Sequence, residues 1–285
     1  MMRIGFIGFG RMGIPISEKI ERSFGLASCY NRTRENIPTH LREKAKESPD
    51  VVLSTSDIVF MIVTDSTASM EILRKIGNSG KGKILIDMST ISYEQSIQNH
   101  QYAEELGLNY MDAPVIGSVP AAVNGSLAIV CGGKVDTFDM IRAILQSFTA
   151  KQIYCGKGGN GIGVKLVNNM VMGINMLAVA EGLALSRAIG LDDRTTTEAL
   201  QSGGAASRIL ELKKEKMIKG DFSTQFSLEH QLKDIKYAVE LQRSLKVPDF
   251  LTSMADSIYL LENEEHGKDD MCSVMEYYKK KRIND

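Results

Sequence analysis

Six residues near the N-terminus, Gly8-Phe9-Gly10-Arg11-Met12-Gly13, have the spacing GxGxxG. The pattern alone is common, and its surroundings make it informative. It leaves a short run, Arg3 to Gly8, that reads as a strand, and opens a stretch from Pro15 that reads as a helix. Proline suits a helix's first turn. Glycines let the backbone approach a pyrophosphate, whose charge is favoured at the positive end of the helix. Strand, glycine turn and helix in that order point to dinucleotide binding rather than to a tight turn alone.

The end of the next strand selects the dinucleotide. An NAD-binding unit usually carries Asp or Glu there, about 20 residues on, for the ribose 2′-hydroxyl. Here Tyr30 is followed by Asn31-Arg32-Thr33-Arg34, with no acid until Glu35. Without a carboxylate nothing repels a 2′-phosphate, and Arg32 offers a planar, bidentate donor for it. NADP is therefore expected in preference to NAD.

A second group of reactive residues lies far along the chain. Lys165 and Asn169 are four apart in an apolar stretch and share one face if it is helical. The plain alternative is a lysine that snorkels from a helix end. A lysine buried beside a nicotinamide cation has reason to release its proton, which suits a proton carrier. Asn169 would hold a substrate hydroxyl in line.

These residues need a scaffold. Strand-like runs recur at Leu26 to Tyr30, Ile58 to Val63, Lys83 to Met88, Leu108 to Met111, Leu127 to Cys131 and Gln152 to Cys155. Several are apolar without alternation, as strands buried on both faces are. Helical stretches at Pro15 to Phe24, Ala68 to Ile76, Tyr93 to Leu106 and Val135 to Ser147 lie between them. The alternation predicts a doubly wound, mainly parallel α/β domain over residues 1–158. A breaker cluster, Gly156 to Gly161, follows, and no strand pattern comes after it. Lys165 to Ala188 reads as one helix of about 36 Å. It is apolar on nearly every face and so expected to be surrounded by protein. Further helices are expected at Arg194 to Gln201, Ala206 to Ile218, Leu228 to Ser244 and Leu251 to Glu264, making 159–285 an all-α domain. The active site is expected between the two halves, and a homodimer or homotetramer is expected through the helical one.

Composition agrees with two globular domains in 285 residues. Apolar residues at 43% and charged residues at 24% exclude a disordered or collagen-like chain. A net charge of -1 gives no footing for general nucleic-acid binding. No signal-peptide profile opens the sequence, and the longest apolar run, Ile58 to Val63, is short for a membrane span. A soluble, cytoplasmic protein is expected. Cys29, Cys131, Cys155 and Cys272 are too scattered for a zinc spacing, and the four histidines form no HExxH, so no metal is expected. Each cysteine reads as a small buried hydrophobe.

Six segments together carry a resemblance: GFIGFGRMGIP, YNRT, LIDMSTIS, DAPVIGS, GNGIGVKLVNN and FSLEHQLKDIKYAVE. In composition and order they resemble the signature segments of the β-hydroxyacid dehydrogenases, a family that includes 3-hydroxyisobutyrate dehydrogenase and the glyoxylate/succinic semialdehyde reductases. The resemblance implies an NADP-linked oxidoreductase acting on a small, carboxylate-bearing hydroxyacid or semialdehyde. It implies Lys165 as acid/base and Asn169 as its substrate-orienting neighbour. It puts Thr90 near the nicotinamide, Ile62 and Val63 beneath the cofactor, and Gly117 and Ser118 in the loop that takes the substrate carboxylate. Lys233 matches a family lysine that reaches the cofactor, while Asp234 reads as a local pairing residue.

Three positions depart from the family pattern. Ile116 stands where Ser is common, removing a hydroxyl near the carboxylate site. Thr67, still expected to contact the cofactor, replaces a frequent Asn, and Asp270-Met271-Cys272-Ser273 matches the C-terminal segment only loosely. Two other readings compete with a hydroxyacid enzyme. One is a related reductase of imines or sugar acids; the retained Lys165 and the short helical half disfavour it. The other is a non-catalytic NADP-binding module, which would be free to lose Lys165 or Asn169.

Overall fold

The structure, a computed structural model, describes residues 2–280. The chain divides into two compact units, Met1–Lys165 and Leu166–Asp285. In the first unit β1 (Ile4–Ile7), α1 (Gly13–Phe24), β2 (Ser28–Tyr30), α2 (Pro49–Thr55), β3 (Ile58–Met61), α3 (Ser66–Ile76), β4 (Ile84–Asp87), α4 (Tyr93–Glu105) and β5 (Asn109–Asp112) follow one another. Their strands form a fully parallel sheet in the order β2-β1-β3-β4-β5. Then come β6 (Val115–Ile116), α5 (Val119–Asn124), β7 (Leu127–Cys131), α6 (Val135–Leu145) and β8 (Thr149–Tyr154). These make a separate three-stranded sheet, β6-β7-β8, with β6 antiparallel to β7.

Alternation along each strand divides the core into two layers. Phe6, Phe60 and Ile86 point to one face, with Ile16, Ile20, Ile141 and Phe148. Ile7, Val59, Met61 and Leu85 point to the other, with Leu53, Leu73, Ile76 and Ala103. Register then aligns Ile7, Met61, Asp87 and Asp112 as the last row of four neighbouring strands. Everything that follows these residues leaves the same edge of the sheet. That edge, beside the reversal of strand order at β1, is where open α/β sheets bind ligands.

The strand expectations hold to within a few residues. Helix α2, strand β6 and helix α5 were not anticipated. A two-residue strand has no period to detect, and α5 forms only where Pro120 follows Ser118 and Gly125 (φ 70°) stops the turn.

α7 (Asn160–Ala188) opens five residues earlier than Lys165, inside the presumed breaker cluster. Packing overrides propensity here: a Cβ on Gly161 would lie 2.7 Å from the carbonyls of both Asp112 and Val130, so only glycine fits. The division between the compact units falls at Lys165, inside α7. After α7 come α8 (Asp193–Gln201), α9 (Arg208–Lys219), α10 (Leu228–Ser244), α11 (Phe250–His266) and α12 (Met275–Lys280). Asp192 and Ser207 cap α8 and α9 by accepting from Thr195 N and Leu210 N. Met176, Ala180 and Leu183 of α7 pack with Leu210, Leu232, Ile235 and Tyr259. At Gly173 a Cβ would meet the Gln231 amide nitrogen at 2.3 Å, which brings α7 and α10 into close approach.

Within this chain, protein does not cover α7 on all sides. Val167, Val171 and Leu185 stand exposed, Leu185 at 66%, at helical spacing along one face. By length and apolar character α7 is also long enough to cross a bilayer. Its buried polar groups instead bond to protein: Asn169 to Asp234 and Ser186 to Thr196. Cys29, Cys131 and Cys272 are buried as expected, whereas Cys155 is only half-buried, and burial pushes the Cys29 thiol up to about 11.

Candidate active site

The glycine loop leaves β1 at the sheet edge. Gly8 has φ 99°, and a Cβ there would sit 2.0 Å from the Ile62 carbonyl oxygen; one on Gly13 would sit 1.9 Å from that of Gly8. Both positions therefore need glycine for the protein's own packing. Gly10 differs: a Cβ would meet nothing within 4 Å. Its missing side chain leaves open space over the loop, as close approach of a pyrophosphate requires. α1 begins at Gly13 with Met12 before it, no side-chain cap and no acid in its first turn. Ile14 N and Ile16 N donate to the Gly10 and Met12 carbonyls and Pro15 has no N–H, so an anion is favoured here by the helix's positive end and by the glycine loop before it. Arg11 is exposed in that loop.

Asn31 locks this loop to β2. Its Oδ1 accepts from Phe9 N at 2.8 Å, and its Nδ2 donates to the Thr33 carbonyl at 2.7 Å. Arg32 and Thr33 follow, exposed, with the nearest acid, Glu35, also exposed. Loop, Asn31 and Arg32 are within one unit, as a dinucleotide site needs.

The next strand ends supply the rest of the edge. Ile62 lies against Gly8 and Gly13, and Val63 N donates to Ser89 Oγ at 2.8 Å. Ser89 N in turn donates to Asp87, whose carboxylate also accepts from Ser69 Oγ at 2.6 Å and Tyr110 OH at 2.8 Å. Burial drives the Asp87 carboxyl above its ordinary range, although hydrogen bonds from Ser69, Ser89 and Tyr110 oppose the shift. This buried network fixes the turn that presents Thr90, which is half-buried. Thr67, exposed in the first turn of α3, sits just behind the Asp65 cap of that helix. Asp87 drew no attention in the sequence, because one acid in an apolar strand has no local signature.

Gly117 and Ser118 follow β6. Gly117 has φ 128°, and a Cβ would strike Leu127 at 2.7 Å. Ser118 precedes α5 without capping it, so its hydroxyl is not committed to the helix. Ile116 is half-buried in β6, paired with Ala128.

Lys165 is only 7% exposed. Asn169, one turn further along the same helix, is buried and fully oriented. Its Nδ2 donates to Asp234 Oδ2 at 2.6 Å, its Oδ1 accepts from Asn168 at 2.9 Å, and its carbonyl accepts from Gln231. Lys233 Nζ stands 3.0 Å from Asp234 Oδ1 and 4.9 Å from the centre of the Tyr237 ring. Asp234 thus pairs locally, as read from the sequence, and joins Asn169 to Lys233 within the helical unit.

Comparison with known proteins matches both units. Residues 3–156 match the family model described as the NAD-binding domain of 6-phosphogluconate dehydrogenase. Residues 159–278 match that described as NAD-binding of NADP-dependent 3-hydroxyisobutyrate dehydrogenase. Among curated proteins, the chain is 30% identical to glyoxylate/succinic semialdehyde reductase 2 of Arabidopsis thaliana, over 97% of this chain and 79% of that one. It is 31% identical to 2-(hydroxymethyl)glutarate dehydrogenase of Eubacterium barkeri, over 97% and 95%. A Mycobacterium tuberculosis 3-hydroxyisobutyrate dehydrogenase structure with L-serine shares the fold, with a TM-score of 0.90 at 23% identity over 97% of this chain and 99% of that one.

Proposed function

The chain belongs to the β-hydroxyacid dehydrogenase family and is a nicotinamide-dependent oxidoreductase of the 3-hydroxyisobutyrate dehydrogenase type; from that premise we propose that it interconverts a small β-hydroxyacid, or a related hydroxyacid, and its semialdehyde or keto acid with NADP(H). Lys165 carries the proton. The observation that supports this most is a lysine almost wholly buried near the start of a helix, with an oriented asparagine one turn on.

The loop from Gly8 to Gly13 and the uncapped start of α1 would hold the pyrophosphate, and Arg32 the 2′-phosphate. Asn31, Thr33, Ile62, Val63, Thr67 and Thr90 would complete the cofactor's surroundings. Bound NADPH supplies the hydride. Gly117 and Ser118 would receive the substrate carboxylate. During reduction Lys165 gives a proton to the carbonyl oxygen, and during oxidation it takes the hydroxyl proton back. Asn169 keeps a second amide N–H beyond the one given to Asp234, and this N–H orients the reacting oxygen. Ile116 makes the carboxylate end of the pocket more apolar than a serine would.

Oxidation of NADPH is expected with at least one of glyoxylate, succinic semialdehyde, methylmalonate semialdehyde and tartronate semialdehyde. Turnover of none overturns the reading. Arg32→Ala is expected to weaken NADP binding by about 10–100-fold, through loss of a charge-assisted pair, and to leave NAD almost unaffected. Titration of both cofactors decides it; equal or tighter binding of NAD by the unmutated protein contradicts the preference.

The same reading includes self-association through the helical unit, as a homodimer or homotetramer. Support comes from Val167, Val171 and Leu185 on α7 and from Phe250, Leu251 and Met254 on α11, all exposed. Clusters of exposed apolar side chains along a helix face are a common mark of interaction sites. Light scattering should return a multiple of the 31.4 kDa chain mass. A monomer mass unchanged with concentration rules the assembly out.

A further inference from the structure

α7 lacks a cap of its own. The residue before it, Gly159, has φ 87° and no side chain, and Asn160 donates backward to the Cys155 carbonyl at 2.7 Å. The first N–H groups of a helix nonetheless need acceptors when buried. Asp112, at the end of β5 and fully buried, provides them: its Oδ1 accepts from Gly159 N at 2.7 Å and its Oδ2 from Ile162 N at 2.8 Å. A carboxylate at a helix N-terminus is favoured by the helix dipole and by charge-assisted bonds.

The cap is itself held. His100 Nε2 lies 2.7 Å from Asp112 Oδ1 and donates to it. The imidazole stands edge-on to Tyr110, with centroids 4.7 Å apart, and rests on Gly158, where a Cβ would fall 2.5 Å from the ring. Cβ atoms on Gly132 and Gly161 would each approach the Asp112 carboxylate to 2.8 Å. The carboxylate therefore has no slack. Lys165 follows Ile162 by three residues and Gly161 by four, on the same helical face.

We propose that Asp112 and His100 are positioning residues for Lys165, fixing the turn of α7 from which its side chain departs. The proposal rests on Lys165 as proton carrier. An amine displaced by about 1 Å from its acceptor loses on the order of 10²-fold in rate, whereas the glycine loop, which does not depend on this cap, keeps its grip on cofactor.

The test uses the full-length protein, the best substrate of the four above, and His100→Leu, His100→Gln and Asp112→Asn, each with and without Lys165→Ala. His100→Leu and Asp112→Asn are expected to bind NADPH within about 3-fold of wild type and to lose about 10–100-fold in kcat with KM little changed. His100→Gln retains an N–H donor and should recover most of the rate. In the Lys165→Ala background the same changes should cost nothing further, because no amine remains to be placed. Equal proportional losses in both backgrounds, or wild-type kcat in His100→Leu, overturn the proposal. If Asp112→Asn does not fold, the two His100 variants decide. Failure of the Lys165 reading shows separately, as undiminished kcat in Lys165→Ala alone.

Discussion

Lys165→Ala is expected to fold and to bind NADPH as wild type does, and to turn over about 10²–10⁴-fold more slowly. Alanine favours the helix, and neither the glycine loop nor Arg32 is touched. Lys165→Arg should recover little of the rate. A guanidinium keeps the positive charge but releases no proton near neutral pH, so the pair of variants separates proton transfer from charge. A lysine that only anchors the substrate carboxylate would give another pattern: arginine would restore kcat, and the alanine loss would sit mainly in KM. Near-wild-type kcat in the arginine variant would remove Lys165 from acid–base chemistry. Comparing the two variants under saturating NADPH makes the distinction.

The second large effect concerns stability. Lys213 of α9 and Asp270 form a buried ion pair at 2.7 Å, with side chains 5% and 0% exposed. Asp270 also accepts from Gln225 N, Phe226 N and Cys272 N. Burial pushes its carboxyl upward, but the Lys213 charge and these hydrogen bonds outweigh it and hold the group below the ordinary carboxylate range. Lys213→Ala leaves that carboxylate buried without its cation, which typically costs about 3–5 kcal/mol. The pH dependence follows from the direction of the shift. A depressed carboxyl contributes stability that is present above its unfolded value and lost as pH falls through the folded one. The gap between wild type and Lys213→Ala is therefore widest at neutral pH and narrows in acid, as Asp270 is protonated in both. The chain has no tryptophan, so urea unfolding followed by circular dichroism is the suitable readout. A gap that stays below about 1 kcal/mol at neutral pH would mean the pair behaves like a surface one.

Much of the candidate cofactor site is legible because its logic is local. Gly8, Gly10 and Gly13 lie within six residues, and a single strand and helix give the pattern its meaning. The missing acid after Tyr30 is likewise a statement about one turn. Lys165 and Asn169 share a face through helical spacing alone, and Leu228 to Ser244 matches α10 residue for residue. Less of the substrate loop was visible. Gly117 and Ser118 stood out by resemblance, whereas β6 and α5, which flank them, are too short to show a period.

By itself, then, the sequence determined the alternation of strands and helices, the glycine loop, the basic turn at Arg32 and the shared face of Lys165 and Asn169. Each follows from dihedral preference, side-chain period or the chemistry of neighbours a few residues apart. Tertiary structure decided what holds those residues in place. Asp112 caps α7 from 47 and 50 residues away, Asp87 gathers Ser69, Ser89 and Tyr110 beneath Thr90, and Lys213 finds Asp270 across 57 residues. It also decided that Gly161 belongs inside a helix and that one face of α7 stands exposed. The physical reason is that a long-range contact forms only when packing across the whole fold offsets the entropy of closing the loop between its partners, a balance that no local spacing records.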